Sequence, residues 1–324
     1  MSNSLNSAIK AFSQLYRNRL GNISIYPSAI GDGFRYDIVS PVLRGKGNYP
    51  FIFTHGKFTN HVVVLTHGLS DSPHYMEAIG KRFFNAGANV LFPLLFGHGM
   101  KFPDKALQDW NLSQKWKADM DHTIHSASLF GKIISLGGLS TGGTLSLNAL
   151  LRHSESIKGG LFLFSAALDI GILHEHAIKL PFLSRFYRFK QEKIVGDGPN
   201  PYKYPVFSNF SGLQLSDIIN EVNKKLYKKI IKQPVFAAHS VQDSVTFLKG
   251  ITHLLDHHVE KGVAYLISQR TNGHPVEHGE VVLEEPINFS TDNAYSLLPP
   301  KANPKFDDMM RAAIQFFKSD IESL

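Results

Sequence analysis

Gly138-Leu139-Ser140-Thr141-Gly142, extended by Gly143, is the stretch of this chain best suited to covalent chemistry. It follows Lys132 to Gly137, a short apolar run with β-branched residues that predicts a buried strand. Thr144 to Leu151 comes next, with leucines and an alanine at helical spacing. Strand, sharp turn and helix is the setting in which a serine between two glycines is presented as a nucleophile. A strained turn of this kind requires small neighbours two residues away, so that strand and helix can approach. The Ser140 hydroxyl then points out at the sheet edge, and the amide of Thr141 faces a reacting carbonyl.

A serine hydroxyl needs a base, usually histidine, itself oriented by a carboxylate. In a parallel α/β sheet these groups collect at the carboxyl ends of strands, in the chain order serine, acid, histidine. Asp243, just past a strand that ends near His239, meets that requirement for the acid. Two histidines compete for the base in the segment Thr271 to Leu283: His274 in a glycine turn nearer the strand, and His278 at the start of an apolar run. His278 is preferred, with His274 as the alternative. Two amide donors are also needed for the oxyanion. The N–H of Thr141 is one. Leu69 is the other, in His67-Gly68-Leu69-Ser70-Asp71-Ser72-Pro73, where Gly68 lets the backbone turn towards the pocket. His67 reads as a buried histidine bonding the loop backbone. His253, His257 and His258 include an i, i+4 pair, but lack the glutamate of an H-E-x-x-H and an obvious third ligand. No metal or cofactor is expected.

The elements that must position these groups alternate along the chain. Strands are predicted at Phe34–Val39, Pro50–Thr54, Val62–Thr66, Ala88–Phe92, 132–137, Gly160–Ser165, Pro234–Ala238 and Val263–Ile267. Helices are predicted at Ala8–Leu20, Tyr75–Ala86, Leu112–Phe130, Thr144–Leu151, Phe247–Val259 and Phe306–Phe317, the second opened by Ser72-Pro73 and stopped at Gly87. This rhythm implies an α/β fold with a mostly parallel central sheet and helices on both faces. It breaks between about Gly171 and Gln233, where apolar-aromatic clusters at 180–183 and 186–189 take the place of strands. Sixty residues or so is too long for a plain loop, so an inserted, mainly helical lid is expected there. The predicted organisation is an N-terminal extension (1–28), a first core part (29–170), the lid (171–233) and a second core part (234–324).

The 324 residues are 43% hydrophobic and 19% charged, with 24 Phe and 11 Tyr, which excludes a disordered or low-complexity chain. With no cysteine, disulfides, thiolate catalysis and cysteine-held metals are excluded. No apolar run approaches the roughly 18 residues of a membrane span, and Met1 to Ser7 lacks the features of a signal peptide, so a cytoplasmic protein is expected. The net charge of +7 is scattered except in Lys224 to Lys232. There Leu226, Ile230 and Ile231 fall on one helical face and lysines on the other, predicting a solvated helix that offers weak contact with an anionic membrane surface. No zinc-finger or RNA-binding signature is present, so no nucleic-acid partner is expected.

Taken together, His67 to Pro73, Phe92-Pro93-Leu94-Leu95-Phe96-Gly97-His98-Gly99, Asp109-Trp110, the serine turn, Asp243 and the final histidine segment resemble the α/β-hydrolase superfamily. The similarity is to its carboxylesterase and monoacylglycerol-lipase-like branch, over roughly residues 60 to 280. The resemblance implies a Ser140–Asp243–His278 triad, with the Leu69 and Thr141 amides as oxyanion hole, and ester hydrolysis through an acyl-enzyme. Two histidines stand where the pattern has one, and the lid has no clear match. The expected substrates are short to medium acyl esters or monoacylglycerols, their apolar acyl group walled by the lid aromatics. The alternatives are acyl transfer or amide hydrolysis by the same triad, or a non-catalytic lipid-binding module of the same fold.

Overall fold

The computed structural model describes residues 3–170, 196–206, 209–268, 270–271 and 274–321. Helix α1 (Asn3–Leu20) leads into three strands, β1 (Ser24–Ile30), β2 (Gly33–Val39) and β3 (Phe51–Thr54), which pair antiparallel in succession. Then the alternation sets in: β4 (Thr59–Thr66), α2 (Glu77–Asn85), β5 (Asn89–Phe92), the short α3 (Asp104–Leu107), α4 (Leu112–Ala127), β6 (Gly131–Leu139), α5 (Thr141–Arg152) and β7 (Leu161–Phe164). After it come α6 (Asn209–Leu226), β8 (Val235–Ser240), α7 (Leu248–His258), β9 (Gly262–Ile267), the ribbon β10 (Arg270–Thr271) and β11 (His274–Pro275), and α8 (Phe306–Asp320). The main sheet runs β1-β2-β3-β5-β4-β6-β7-β8-β9 and is parallel from β5 to β9. This is the predicted α/β class. β1 is the one described strand of the main sheet that the sequence reading lacks, because Ser24-Ile25-Tyr26-Pro27 is largely exposed and carries no apolar alternation.

Helices cover both faces of the sheet centre, and β4 shows why the stretch 62–65 is apolar throughout. Val62 and Val64 of β4 belong to one core, while Val63 and Leu65 belong to the other. With side chains alternating across the pleat and both faces dry, no polar position is left. The first core is closed by α1, α4, α5 and α6, through Phe12, Trp116, Leu147 and Ile218 among others. The second is closed by α2 and α8, through Ile79, Phe83, Met309 and Phe317. Around Phe162, the rings of Phe83, Phe236, Phe316 and Phe317 stand 4.7, 6.2, 6.1 and 6.3 Å away.

Between β7 and β8, the clusters at 180–189 lie outside the described residues. The described parts of this stretch are 165–170, the turn-rich segment 196–206, α6 and the residues that lead from it to β8, 227–234. The lysine-rich run departs from expectation: α6 stops at Leu226, so Leu226, Ile230 and Ile231 do not share a helical face. Ile231 is instead buried as a bridge to Val259, its amide donating to the His258 carbonyl (2.8 Å), which leads the chain into β8. Lys224 and Lys225 end the helix, whereas Lys229 turns back to donate to Ser154 Oγ (3.0 Å). The single basic helical face proposed for membrane contact is therefore absent. Among the described residues no helix is long and apolar enough to cross a membrane.

Helix α1 is tied to α4 by a buried ion pair. Arg19 grips both oxygens of Asp119 (2.7 and 2.8 Å), and Asp119 also accepts the Phe96 amide (2.7 Å). Tyr16 Oη accepts the neighbouring Leu94 amide (3.1 Å). Arg19→Met would leave a buried carboxylate without its cation, and such a loss typically costs about 3–5 kcal/mol. Urea titration is expected to show a loss of stability of that order; a change under about 1 kcal/mol would mean the pair contributes as an exposed one does.

Candidate active site

Ser140 sits at the junction of β6 and α5 with φ 51° and ψ −116°, outside the ordinary regions for a residue with a side chain. Such a conformation costs about 1–3 kcal/mol and persists only where its surroundings hold it. Here the Ser140 amide donates to the Phe164 carbonyl (3.0 Å), and its own carbonyl accepts from the amides of Thr144 and Ala167 (3.1 and 3.2 Å). Both flanking glycines are required by contact. A methyl at Gly142 would lie 2.6 Å from the His67 carbonyl oxygen and overlap that of Thr66. A methyl at Gly138 would meet the Gly142 backbone at 2.6 Å. Strand β4 thus lies against the turn, and its following loop is brought over Ser140: a methyl at Gly68 would be 3.3 Å from Ser140 Cβ.

Asp243 follows β8, and its side chain is enclosed. One oxygen accepts the amides of Val245 and Thr246 (2.8 and 2.9 Å); the other accepts Thr246 Oγ1 (3.0 Å) and His278 Nδ1 (2.7 Å). Burial alone would raise this carboxyl, but the hydrogen bond and charge of His278, together with the Thr246 and Val245 amides, outweigh it and hold Asp243 at about 2. A carboxylate only accepts, so Nδ1 of His278 carries the proton and Nε2 is left as the acceptor. His278 opens a 3-10 turn (His278–Val282) whose start is set by a reciprocal cap. The Glu277 side chain accepts from the backbone at Glu280, while Glu280 accepts the Glu277 amide (2.9 Å) and the Lys301 amide (2.7 Å). The imidazole against Asp243 is that of His278. His274 lies on β11, its backbone paired with Thr271.

Loop 67–71, which carries the Leu69 amide, is held by two neutral imidazoles. His67 Nε2 accepts the Leu95 amide (3.2 Å), so Nδ1–H donates to the Gly68 carbonyl (2.8 Å). His98 Nε2 accepts the Ser70 amide (3.2 Å), so its Nδ1–H donates to the Phe96 carbonyl (3.2 Å). Burial, reinforced by the nearby His98, pushes His67 well below the usual histidine range, and burial brings His98 to about 4. The same loop is gripped from the segment before α6. The Tyr204 amide donates to the Ser70 carbonyl (2.9 Å), and Lys203 Nζ lies 2.8 Å from Asp71 Oδ1. Burial would lower that ammonium, but Asp71 and then Tyr75 hold it at about 12. Thr246, His98, Asp71 and Lys203 carry no role in the sequence reading. Asp71 and His98 do fall in the quoted 67–73 and 92–99 motifs, and the Asp-x-x-Thr spacing at 243–246 could have flagged Thr246, but nothing local marks Lys203.

Ser140, Thr141, Leu69 and His278 line one cavity of ≈ 610 Å³. Its remaining wall is largely apolar, with Ile170, Val245 and, from α6, Leu213 and Leu215. Thr141 is the first residue of α5, and first-turn amides have no acceptor within their helix. A serine, an imidazole with a free Nε2, a fixed carboxylate and an available amide around one apolar space are the parts that acyl transfer requires. His253, His257 and His258 cluster on α7, with the His253 ring 4.9 and 5.2 Å from the other two; among the described residues no group of three histidines or acids is arranged to hold a metal.

Comparison with known proteins brings out lipases and esterases. The family model described as serine aminopeptidase, S33, matches residues 59–200. The thermostable monoacylglycerol lipase of Bacillus sp. (strain H-257) is 27% identical over 202 residues, 61% of this chain and 75% of that protein. Among solved structures, one from work on the metagenome-derived lipolytic enzymes LipS and LipT superposes with a TM-score of 0.62 at 17% identity, covering 84% of this chain and 98% of that one. A soluble variant of the monoglyceride lipase of Saccharomyces cerevisiae, in complex with a substrate analogue, gives 0.55 at 13% identity over 93% and 98%. These structures share the fold.

The depressed Asp243 gives a pH test. A carboxyl lowered in the folded state adds stability that is present above its unfolded value, near 4, and lost as pH falls through about 2. Between pH 5 and 2, wild-type stability is expected to fall by roughly 2 kcal/mol more than that of Asp243→Asn. Parallel curves in urea titrations would show that the carboxylate is not selectively stabilised.

Proposed function

From the premise that this chain is an α/β-hydrolase of the carboxylesterase and monoacylglycerol-lipase-like kind, and a carboxylic ester hydrolase, we propose that it cleaves esters with an apolar acyl group through an acyl-enzyme on Ser140. The observation that carries this reading is the single cavity lined by Ser140, Thr141 and His278, with His278 bound to a buried Asp243. In this mechanism Ser140 Oγ attacks the ester carbonyl as His278 Nε2 takes its proton. The amides of Thr141 and Leu69 stabilise the oxyanion. His278 then gives the proton to the departing alcohol, and water repeats the cycle in reverse to release the acid. Asp243, held near 2, stays ionised throughout and supports the imidazolium.

The substrates proposed are short to medium acyl esters or monoacylglycerols, the acyl chain lying along the apolar wall that includes Leu213 and Leu215. The organisation proposed is a core of 29–170 and 234–324 with 171–233 as the lid; the 1–28 extension expected from the sequence does not stand apart, since α1 packs into the first core and β1 crosses residue 28 to join the main sheet. Amide hydrolysis is the second reading, favoured by the aminopeptidase description of the matching family. An ester and an anilide of one acid separate the two.

A fluorophosphonate probe is expected to modify Ser140 in the wild type, as located by mass spectrometry, and to leave Ser140→Ala unmodified. His278→Ala should lose labelling and reduce kcat by roughly 10⁴-fold or more, while His274→Ala keeps both. Loss with His274→Ala alone would move the base there. A folded wild type that takes no label would overturn the acyl-enzyme.

A further inference from the structure

A second cavity, ≈ 390 Å³, lies beside the first, and the two have Lys203, Tyr204, Pro205, Glu277 and Gly279 in common. Glu277 and Gly279 are the residues on either side of His278. The second cavity therefore begins at the turn that holds the imidazole. Gly279 lies on both cavities, and a methyl built there would make only an ordinary contact, with Tyr75 Cε1 at 3.7 Å. The far wall comes from the segment between the His278 turn and α8: Phe289, Leu297, Leu298, Pro299 and Pro300. That segment is fixed. Asn293 binds the Leu297 amide and carbonyl through Oδ1 and Nδ2 (3.1 and 2.9 Å), the Ile287 amide donates to Pro300 (3.2 Å), and the Lys301 amide is held by Glu280 (2.7 Å).

The polar groups on this cavity are mostly occupied by the protein. Asn200 donates to Tyr75 Oη (3.0 Å) and accepts the Tyr202 amide (2.9 Å). Lys203 is paired with Asp71, and Glu277 and Glu280 cap one another. What is left to a ligand is mainly ring, proline and leucine surface, with Lys301 as a further charge on the lining. A polyol would bring hydroxyls that lose water and gain few partners, whereas an apolar group gains by burial.

Resting on the reading of Ser140 and His278 given above, we infer that this second cavity receives the alcohol portion of the ester, and that this portion is apolar, an aryl or branched alkyl group, which among the substrates proposed above selects apolar esters over monoacylglycerols. The tetrahedral carbon on Ser140 carries two arms. The alkoxy oxygen must lie beside His278 to be protonated, which directs its carbon past Gly279, while the acyl arm keeps the larger cavity. The C–O bond to this group breaks, the proton from His278 goes to the alkoxide, and the neutral alcohol is released.

Methyl, benzyl and glyceryl esters of one medium-chain acid test this in steady-state kinetics. Wild type is expected to favour benzyl over glyceryl in kcat/KM by roughly tenfold or more, the scale on which an apolar pocket discriminates. Leu297→Trp, which fills the cavity, should lower the benzyl-to-methyl ratio of kcat/KM by about as much, mainly through KM. Leu298→Glu, at a position 77% exposed and so compatible with folding, should shift the ratio the same way by placing a charge at the wall. A glyceryl ester turned over as well as the benzyl ester, or ratios unmoved by both substitutions, overturns the inference while leaving the hydrolase intact. Failure of wild type to hydrolyse any of the three removes the hydrolase reading and this one with it.

Discussion

The backbone of strand β4 touches the backbone of the turn at Ser140, and the rest of the site depends on that contact. Neither Gly138 nor Gly142 has room for a methyl, because the Thr66 carbonyl occupies the space. Central parallel strands can deliver such proximity because both of their faces are dry and their neighbours are fixed on either side. Val62 to Leu65 serve two cores at once. The contact holds Ser140 in an unfavourable backbone conformation, and it also sets the loop after β4 directly above the serine. Two residues from different parts of the chain, Leu69 and Thr141, thereby come to one cavity.

The polar part of the site relies on groups kept in one protonation state by burial and by partners. Asp243 has its acceptors filled by two amides, a hydroxyl and an imidazole, so it remains charged in an enclosed place. His67 and His98 are the opposite case, imidazoles kept neutral so that each can donate from one nitrogen and accept at the other. Their shared task is to hold loop backbone whose amides and carbonyls have no secondary structure to satisfy them. Bracing reaches further, through Asp119 to Arg19 on the first helix. A helix with no chemistry of its own thus stands behind the loop that faces Ser140.

Much of this was legible in the sequence. Continuous apolar runs such as Val62 to Leu65 announce strands buried on both sides, and Gly-x-Ser-x-Gly between a strand and a helix announces the turn. The place of Asp243 after a strand also follows from pattern. The choice between His274 and His278 did not, since both lie within the segment that follows β9 and what distinguishes them is a cap formed by Glu277 and Glu280, side chains whose pairing is visible only once the turn exists. The lysine-rich run misled because helical spacing continued past Leu226, while the tertiary bridge from Ile231 to Val259 took the chain out of the helix. Lys203 and Asp71 are 132 positions apart, and no local pattern joins them. The same is true of the second cavity, assembled from four separate stretches of chain.

The conformation of Ser140 has a consequence for how such a sequence changes over generations. Glycine would take up φ 51° without the penalty of about 1–3 kcal/mol, against roughly 1 kcal/mol of extra chain entropy lost on folding. On balance the fold stands to gain from losing the serine hydroxyl, and a lineage relieved of selection for turnover would drift away from serine at this position early. Retention of serine here, in any descendant that keeps the fold, is therefore a record of continued use.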